Sequence, residues 1–593
     1  MGVPRGPGLS AHSGARLVQT DCGRGVDVHL CSRVTITWDK PGGGHTRGGM
    51  LFVDRRMRVR PRRGARLTVR KAAVAGLLAV VLGGCATAPT PIINGFPAEP
   101  GAHGSAVPLA DQGGAAPASP PTTRAAAAQT AAARHPGTYA ALGRQALATL
   151  EGEYYNGAGR WNMCVPLRCF TSNRDWGADS LTYVLYLHWL LTRDRRVAPI
   201  MNALATTSPK SHSGLSDVPL WDSIAAAREY QVTGNREALS KAEAYFGYVA
   251  GNAPRLFALG ACPSVLYQHA GGGGTQLKTL ESGANYVKAA VLLYQITHQR
   301  SYLAQAENQY QAVRQYFMSP GTSLYTVYLF DNGNSCTQVP AQYYASVNGT
   351  MIWDGQALAQ ITGQSSYLNE ATATAQAVAA YLGDGTGVYA DLQAENDIAE
   401  PLIEAMYGLA TSGQAFARHW LLAAASASAA SRNARTGAYG RFFDGPPQAG
   451  PVTAWQVNGG LALAQVAAAL DPAGRPARQG FWARASFVRD EQAMSGSPVS
   501  FSFTGRAVAI IGTIGEVCCT DGHAQVLIDG TQTFDQTGIW QNKSSSDRSL
   551  PDSVLFAWRW PRSGRHTIEI GPAATNAKQG GSFFHMTGYD VVR

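Results

Sequence analysis

One local pattern returns at near-constant spacing in the middle of the chain, and it limits the possible folds more than any other feature. The pattern is an apolar helix end, a Thr-Gly-type stop, and a new helix that opens three or four residues later. Clear copies recur about every 64 residues, with their stop threonines at Thr233, Thr297 and Thr362. Helical hairpins of equal period indicate an array of repeats.

The array extends over a predicted domain of residues 135–475. Twelve segments roughly follow the helical period, and they are 136–151, 175–193, 196–207, 219–234, 238–253, 281–298, 301–317, 346–363, 366–382, 397–411, 414–430 and 453–470. Six hairpins favour a closed all-α (α/α)6 toroid over an open solenoid, because no polar capping repeats stand out. In a toroid the inner helices converge at one end, where long loops build a cleft.

At about residue 480 the apolar period changes from the helical value to two. Short apolar stretches in this region are bounded by Gly and Asp-Gly, which favours strands joined by turns. The stretches are 499–505, 507–512, 524–530, 553–560 and 566–570. Their regular spacing predicts an all-β sandwich over residues 480–593, so the chain is expected to be multidomain.

The formal net charge of +10 suggests a nucleic-acid partner, but its distribution argues against one. Residues 1–85 hold 15 of the 49 basic residues and only 4 of the 39 acidic ones. The remainder is nearly neutral, with 34 basic and 35 acidic residues, so no electrostatic footprint for nucleic acid is expected.

The excess of basic residues belongs to a targeting segment at residues 57–85. A basic stretch from Met57 precedes an apolar run at 72–82, which is too short to span a bilayer, and Leu82-Gly-Gly-Cys85 closes the pattern. This resembles a bacterial lipoprotein signal, which implies a lipid on Cys85. The alternative is an ordinary cleaved secretory signal. Either signal predicts an extracytoplasmic protein, which is anchored to the cell membrane in the first case and secreted in the second.

Two flanking segments are not expected to fold. Residues 1–56 lack periodicity and are interpreted as a disordered or mis-called start. Residues 86–134 are rich in Ala, Pro and Gly and contain few large apolar groups, so they cannot bury enough surface to offset the ordering entropy. We expect them to form a flexible tether.

A pair of aspartates at one predicted helix entrance carries the main catalytic hypothesis. Asp217 is expected to cap the helix, with Pro219 in its first turn. Asp222 follows five residues later, and Trp221 lies between the two. Two carboxylates and an indole suit a glycoside hydrolase, and a separation of roughly 6.5–9.5 Å would fit inversion. The alternative is structural: Asp217 merely caps the helix, and Asp222 is a solvated acid near the helix dipole.

Aromatic residues concentrate in the predicted connections between helices and at their edges. Such side chains line saccharide grooves, although they also pin loops onto a core. The substrate-binding candidates in this domain are Trp176, Trp221, Tyr328, Tyr343, Tyr344 and Asn348.

The hairpins, the Phe-Asp-Asn-Gly loop at 330–333 and the Val-Asn-Gly segment from 347 resemble glycoside hydrolase family 76 over most of residues 170–470. That resemblance implies an (α/α)6 fold and endo-α-1,6-mannanase activity. It also implies an adjacent Asp-Asp pair, followed closely by Trp, as nucleophile and general acid/base. Asp217 falls on the nucleophile and Trp221 on the Trp, whereas Val218 stands in place of the acid/base.

The missing acid/base leaves two possibilities. Another carboxylate supplies the proton, or the domain no longer cleaves its ligand. The candidates for the proton donor are Asp222, Asp331, Asp354 and Glu281.

The C-terminal region resembles galactose-binding-like jelly-roll modules. That resemblance implies sugar contacts from aromatic and amide side chains, which would be Trp540, Gln541, Asn542 and Trp558; the alternative is a spacer module.

Six cysteines remain after Cys85 in a compartment where disulfides persist, and they are Cys164, Cys169, Cys262, Cys336, Cys518 and Cys519. Pairing Cys164 with Cys169, and Cys262 with Cys336, would join cleft loops.

Metal-ligand spacings and phosphate-binding loops are missing from the sequence, so no metal or cofactor is predicted. The leading hypothesis is an extracytoplasmic, monomeric glycoside hydrolase that acts on an α-linked polysaccharide, with a mannan as the first candidate. One alternative is an inactive carbohydrate-binding lipoprotein, and a weaker one is a polysaccharide lyase. The first two hypotheses differ at Val218.

Overall fold

The structure is a computed structural model, and it describes most of the chain beyond residue 136. The described residues are 137–166, 171–174, 176–208, 216–257, 260–267, 277–339, 343–389, 398–477, 482–491, 499–514, 524–534, 550–572 and 585–593. The predicted start, signal and tether, including Cys85, lie outside them, as do Cys169, Cys518, Cys519, Trp540, Gln541 and Asn542.

The helical domain contains twelve α-helices in the described residues, one for each predicted segment. They are α1 (Tyr139–Thr149), α2 (Trp176–Thr192), α3 (Ala198–Thr207), α4 (Asp217–Thr233), α5 (Arg236–Phe257), α6 (Leu280–Thr297), α7 (Arg300–Phe317), α8 (Ala345–Thr362), α9 (Ser365–Tyr381), α10 (Glu400–Thr411), α11 (Ala415–Ser431) and α12 (Ala454–Leu470). A π-helical turn (Leu150–Tyr154) extends α1, and a 3₁₀ turn (Arg195–Val197) precedes α3.

The even-numbered helices form a closed inner ring. Each packs against the next from α2 to α12, and α12 packs against α2 to close the ring. The odd-numbered helices lie outside, with α1 packed on α12. The inner helices are enclosed on nearly every side, and α12 is buried without a break from Ala454 to Ala467. This arrangement confirms the predicted toroid.

Close contact between inner helices depends on small residues at the crossing points. Gly349 in α8 faces the backbone of α10, and a Cβ at this position would collide with Leu402. The Val-Asn-Gly segment therefore contributes a glycine that allows two inner helices to touch.

Short turns with a shared hydrogen-bond pattern join the inner helices α4, α6 and α8 to the outer helices that follow them. The hydroxyls of Thr233, Thr297 and Thr362 each donate to the carbonyl four residues earlier, at 2.7 Å. Each hydroxyl also accepts from the backbone N–H two residues later, at 3.0–3.3 Å. A residue in the left-handed conformation follows each threonine, which ends the helix. The repeated threonine of the sequence is thus a helix stop.

All long connections lie at the opposite end of the ring, where the inner helices begin. They contain three small antiparallel sheets: β1 (Trp161–Asn162) with β3 (Thr171–Ser172), β2 (Cys164–Val165) with β7 (Val452–Thr453), and β4–β5–β6 (Leu277–Thr279, Tyr328–Asp331, Cys336–Gln338). The disulfide between Cys262 and Cys336, with Cα atoms 5.7 Å apart, joins the loops that precede α6 and α8. The sequence offered this pairing as one possibility, and the structure contains it.

The C-terminal region forms a six-stranded antiparallel sheet with the order β11-β10-β12-β9-β13-β8. Its strands are β8 (Ala483–Glu491), β9 (Val499–Ile514), β10 (Ala524–Ile528), β11 (Thr531–Phe534), β12 (Leu550–Pro572) and β13 (His585–Val592). Asp529 and Gly530 have positive φ angles and form the predicted turn between β10 and β11.

Two other predicted turns are wrong. Gly505 and Gly564 are paired with each other inside long strands, so 499–505 and 507–512 fall in one strand, as do 553–560 and 566–570. A Cβ on Gly505 would approach the carbonyl oxygen of Val592 to 2.5 Å, so glycine here permits close strand packing instead of a reversal. The described strands join in a single hydrogen-bonded sheet, and the sandwich stays a prediction.

Candidate active site

The N-termini of the inner helices and the long loops between them define the candidate site. Asp217 is the first residue of α4, and its side chain is half-buried. The predicted capping role is wrong, because the cap position belongs to Ser216. Pro219 lies in the first turn as predicted. Asp217 therefore places a carboxylate at the helix entrance without using it as the cap.

Trp221 lies one turn further along α4 and is almost fully buried, with 2% of its surface exposed. Its indole N–H donates to Glu281 Oε1 at 2.7 Å. Its ring centroid lies 5.6 Å from that of Tyr183 on α2, and the Tyr183 hydroxyl donates to the Trp221 carbonyl at 2.8 Å. The predicted sugar-stacking face of Trp221 is thus enclosed, and the residue instead fixes the carboxylate of Glu281.

Asp222 belongs to a buried ion cluster on the outer side of α4. Arg174 lies 3.6 Å from Asp222, 2.9 Å from Asp179 and 3.1 Å from Glu229. Burial alone lowers the pKa of Arg174, but the three carboxylates raise it well above its ordinary value. Five residues correspond to about 500° of rotation, which turns Asp222 away from Asp217. The prediction that both aspartates share the helix entrance is therefore not supported, and Asp222 is not a solvated acid either.

Asp331 lies at the end of β5 and fixes the loops beside the disulfide. Its carboxylate accepts from the backbone N–H groups of Ala261 at 2.9 Å, Cys262 at 3.2 Å and Gly333 at 2.9 Å. Lys278 Nζ lies 3.3 Å away. Burial raises the pKa of Asp331, but these hydrogen bonds outweigh burial and the net shift is downward. A carboxylate held in this way is a poor proton donor, so the structure disfavours the predicted catalytic role.

Asn348 is enclosed and fully used by the protein. Its side-chain oxygen accepts from Tyr325 N at 2.9 Å, and its amide nitrogen donates to the carbonyls of Tyr325 and Tyr344, both at 3.0 Å. An asparagine with these three bonds ties the loop before α8 to that helix. The predicted substrate contact is therefore replaced by a structural role.

The predicted tyrosines lie on the same loops with different exposures. Tyr328 and Tyr344 are half-buried, with ring centroids 6.3 Å apart at nearly right angles. Tyr343 is buried and packs edge-on against Tyr381 at 4.9 Å. Tyr328 and Tyr344 therefore remain candidates for contact with a ligand, whereas Tyr343 pins its loop to α9.

Trp176 meets an aromatic residue that sequence reasoning missed. Its ring centroid is 4.8 Å from that of Trp455, which lies at the start of α12. Trp455 also lines a shallow open pocket, together with Tyr389, Ala399, Arg441, Phe443, Gln456 and Gly459. A signal was available: Trp455 occupies the entrance of a predicted inner helix, as Trp176 does.

A second buried ion cluster lies inside the ring and was also missed, because its members are far apart in sequence. Arg228 and Lys288 both contact Glu404, with Lys288 Nζ at 2.8 Å, and Arg228 lies 3.8 Å from Glu400. Burial, together with the charge of Glu404, raises the pKa of Glu400 to about 7. Burial likewise raises the pKa of Asp354, which is fully enclosed, well above its ordinary value.

Among the C-terminal candidates only Trp558 is described. It is half-buried on β12, and its indole nitrogen would lie 3.4 Å from a Cβ on Gly385 of the helical domain. This side chain thus borders the helical domain.

Within the part of the chain that the structure describes, no cluster of His, Cys, Asp or Glu is placed to hold a metal ion, and no helix is long and apolar enough to cross a membrane.

Solved structures similar to the chain share the helical domain. One is the α-1,6-mannanase GH76A of Salegentibacter sp. HEL1_6, with a TM-score of 0.50, 18% identity, and coverage of 56% of this chain and 100% of that one. Others are inactive variants of that enzyme, altered at two consecutive aspartates, in complex with α-1,6-mannotetrose or α-1,6-mannotriose. Both have TM-scores of 0.50, 17% identity and coverage of 56% of this chain, and they are covered over 99% and 100% of their own lengths.

The sequence matches no protein-family profile and no curated protein. At identities below one fifth, the structural similarity establishes the fold alone. The helical domain is therefore a toroid of the kind found in the α-1,6-mannanases of glycoside hydrolase family 76.

Proposed function

We propose that this protein is a glycoside hydrolase that cleaves an α-linked polysaccharide, an α-1,6-mannan in the first instance. The observation that carries the proposal is the half-buried Asp217 at the entrance of α4, at the end of the ring where every long loop lies. The half-buried aromatic residues Trp176, Tyr328 and Tyr344 at that end are suited to contact sugar rings. The similar mannanase binds α-1,6-mannotetrose on the same fold, which favours mannan as the first substrate to test.

Replacing Asp217 tests its catalytic role. We expect Asp217→Asn to abolish hydrolysis, because the amide cannot attack the anomeric carbon or activate water. The fold should persist, since the Asp217 side chain does not serve as the helix cap. New reducing ends would be measured on α-mannans, arabinans and α-glucans, with thermal unfolding as the check on folding.

Glu237→Gln is a matched control, because Glu237 lies on outer helix α5 with 44% of its side chain exposed. Unchanged turnover in Asp217→Asn would exclude Asp217 from the mechanism.

A second candidate is an inactive protein that binds mannan without cleaving it. The feature that favours it is Val218, which stands where the resemblance implies the acid/base. Calorimetry would measure whether the wild type binds mannan, and a reducing-end assay would measure whether it cleaves mannan. Binding without any new reducing ends would establish this alternative and refute hydrolysis.

We further propose that the protein acts outside the cytoplasmic membrane, held by a lipid on Cys85. The supporting pattern is the basic stretch, the short apolar run and Leu82-Gly-Gly-Cys85. Cys85→Ala should move the protein from the membrane fraction to the soluble fraction of an expressing bacterium, because no thiol would remain to carry the lipid. A variant that stays with the membrane would contradict the anchor.

A further inference from the structure

We propose that Glu281 is the proton donor that works with Asp217, which rests on the proposed glycoside hydrolysis. Glu281 is the second residue of α6, and Asp217 is the first residue of the neighbouring inner helix α4. Both side chains are half-buried, and both residues lie in the first turn of their helix, at the end of the ring where the inner helices begin.

The hydrogen bond from Trp221 places the two carboxylates on the same side of α4. Asp217 and Trp221 are four residues apart in one helix, so their side chains lie one above the other on a common face. Helical side chains also lean toward the helix N-terminus, which directs the Trp221 indole toward Asp217. Because the indole N–H holds Glu281 Oε1 at 2.7 Å, the Glu281 carboxylate lies beside that same face.

The indole itself is fixed, which makes the placement of Glu281 rigid. Trp221 is packed against Tyr183 of α2 and is 2% exposed. A carboxylate positioned by a locked side chain has the preorganisation that proton transfer requires.

The other acidic residues considered for this role are committed elsewhere. Asp222 faces Arg174 on the outer side of α4, and three backbone N–H groups hold Asp331 beside the disulfide. Asp354 is fully enclosed within the ring. Glu281 is thus the one carboxylate of this set that is both half-exposed and tied to the first turns of α4.

The two carboxylates divide the reaction as follows. A carboxylate oxygen of Asp217 attacks the anomeric carbon, the bond from that carbon to the glycosidic oxygen breaks, and its electron pair stays on the oxygen, which takes the proton of Glu281. The resulting Glu281 carboxylate then removes a proton from water as the water attacks the same carbon. Asp217 departs as a carboxylate, and both residues return to their starting states.

The decisive experiment compares Glu281→Gln with the wild type on two substrates. The glutamine keeps an oxygen to accept the Trp221 N–H but has no proton to donate. We expect kcat/KM on α-1,6-mannan, which reports the bond-breaking step, to fall by about 10²–10⁴-fold. On an aryl α-1,6-mannobioside with a nitrophenol leaving group the loss of kcat/KM should be below about tenfold, because a nitrophenolate departs without protonation.

Two further variants complete the test. Glu237→Gln makes the same chemical change on an outer helix and should match the wild type on both substrates. Trp221→Phe removes the N–H that holds Glu281 while keeping an aromatic ring, and it should lower kcat on mannan with little change in KM.

The possible results separate this inference from the proposed function. A Glu281→Gln variant with full activity on mannan, or with equal losses of kcat/KM on both substrates, overturns the role of Glu281 while leaving Asp217 and hydrolysis intact. A wild type that hydrolyses neither substrate overturns both proposals. The unequal loss described above supports both.

Discussion

Val218 occupies the second position of α4, directly after Asp217, and its side chain is half-buried. If Glu281 already holds the proton, a new carboxylate at this position adds negative charge beside Asp217. Repulsion between neighbouring carboxylates would then disturb the reacting pair. We therefore expect Val218→Asp to lower kcat on α-1,6-mannan, by roughly the tenfold that about 1.4 kcal/mol of lost transition-state stabilisation produces.

The matched control for this variant is Val218→Asn, because the asparagine side chain has nearly the same shape as that of aspartate but carries no charge. It should retain more activity than Val218→Asp. Higher activity in Val218→Asp than in the wild type would mean that the native site lacks a proton donor, which would contradict the role assigned to Glu281.

The aspartates of this fold have different roles because their surroundings differ. Asp331 accepts from three backbone N–H groups, whereas Asp222 faces a guanidinium. Asp354 is enclosed beside Lys288 and Glu404, and burial raises its pKa. An aspartate is therefore assigned a role by its surroundings in this fold, and its place in the sequence motif is not sufficient.

The inner helices share a buried ion cluster that joins elements distant in sequence. Arg228 comes from α4, Lys288 from α6, Asp354 from α8, and Glu400 with Glu404 from α10. Arg228 also lies over the rings of Tyr183 and Tyr186 on α2, at 4.6 and 4.7 Å. Removing one member of such a cluster leaves buried charge uncompensated, which makes the cluster sensitive to protonation.

Glu400 determines whether the stability of the fold rises or falls with pH. Its pKa is about 7 in the folded protein and 4.5 as the ordinary value, so the folded state retains the proton over a range where the unfolded state loses it. The resulting stabilisation is complete below pH 4.5 and is lost as the pH rises through about 7. Glu400→Gln cannot ionise and should not show this loss.

The measurement is the free energy of unfolding in urea at pH 5 and pH 8 for both proteins. Between these conditions the wild type should lose up to about 3 kcal/mol relative to Glu400→Gln. The exposed variant Glu237→Gln should follow the wild type. Parallel pH dependence in Glu400→Gln and the wild type would show that Glu400 does not titrate in this range.

At the scale of the whole molecule, the C-terminal sheet packs against loops of the cleft end. Phe442 from the loop before α12 lies 6.2 Å from Phe556 on β12, centroid to centroid. Arg559 on β12 lies 3.3 Å from Asp444 of the same loop. Gly450 N donates to Asp552 O at 3.2 Å, and a Cβ on Gly450 would collide with Pro551. The sheet is therefore in direct contact with the cleft-end loops of the toroid.

Arg559→Met tests whether this contact stabilises the helical domain. Burial raises the pKa of Asp444 most, and the negative charge of Asp384 raises it further. Arg559 is the cation that balances these two acids. Loss of that cation should destabilise the fold by roughly 3 kcal/mol and lower the temperature at which helical circular dichroism is lost.

Arg565→Met, on an exposed part of the same strand, is the control and should melt like the wild type. If Arg559→Met lost its helical circular dichroism at the same temperature as the wild type, the sheet and the toroid would unfold independently.

The sequence alone determined the number, order and type of the helices and their closed arrangement. The number, order and type of the helices follow from local physics: apolar periodicity, and in α4, α6 and α8 a threonine whose hydroxyl bonds within its own last turn. The sequence named Cys262 and Cys336 as disulfide candidates and left their pairing open, which the structure decided. The turns at Gly505 and Gly564 were mispredicted, since a glycine that permits close packing looks the same in sequence as one that permits a reversal.

Only the tertiary structure decided which carboxylates meet. Asp222 is closer to Asp217 in sequence than Glu281 is, yet helical rotation turns it toward Arg174, while ring closure brings Glu281 to Trp221 across two helices. The cluster of Arg228, Lys288 and Glu404 arises in the same way. Side-chain direction on a helix is a local property, but its partner is set by the neighbouring helix, and that neighbour is defined only when the ring has closed.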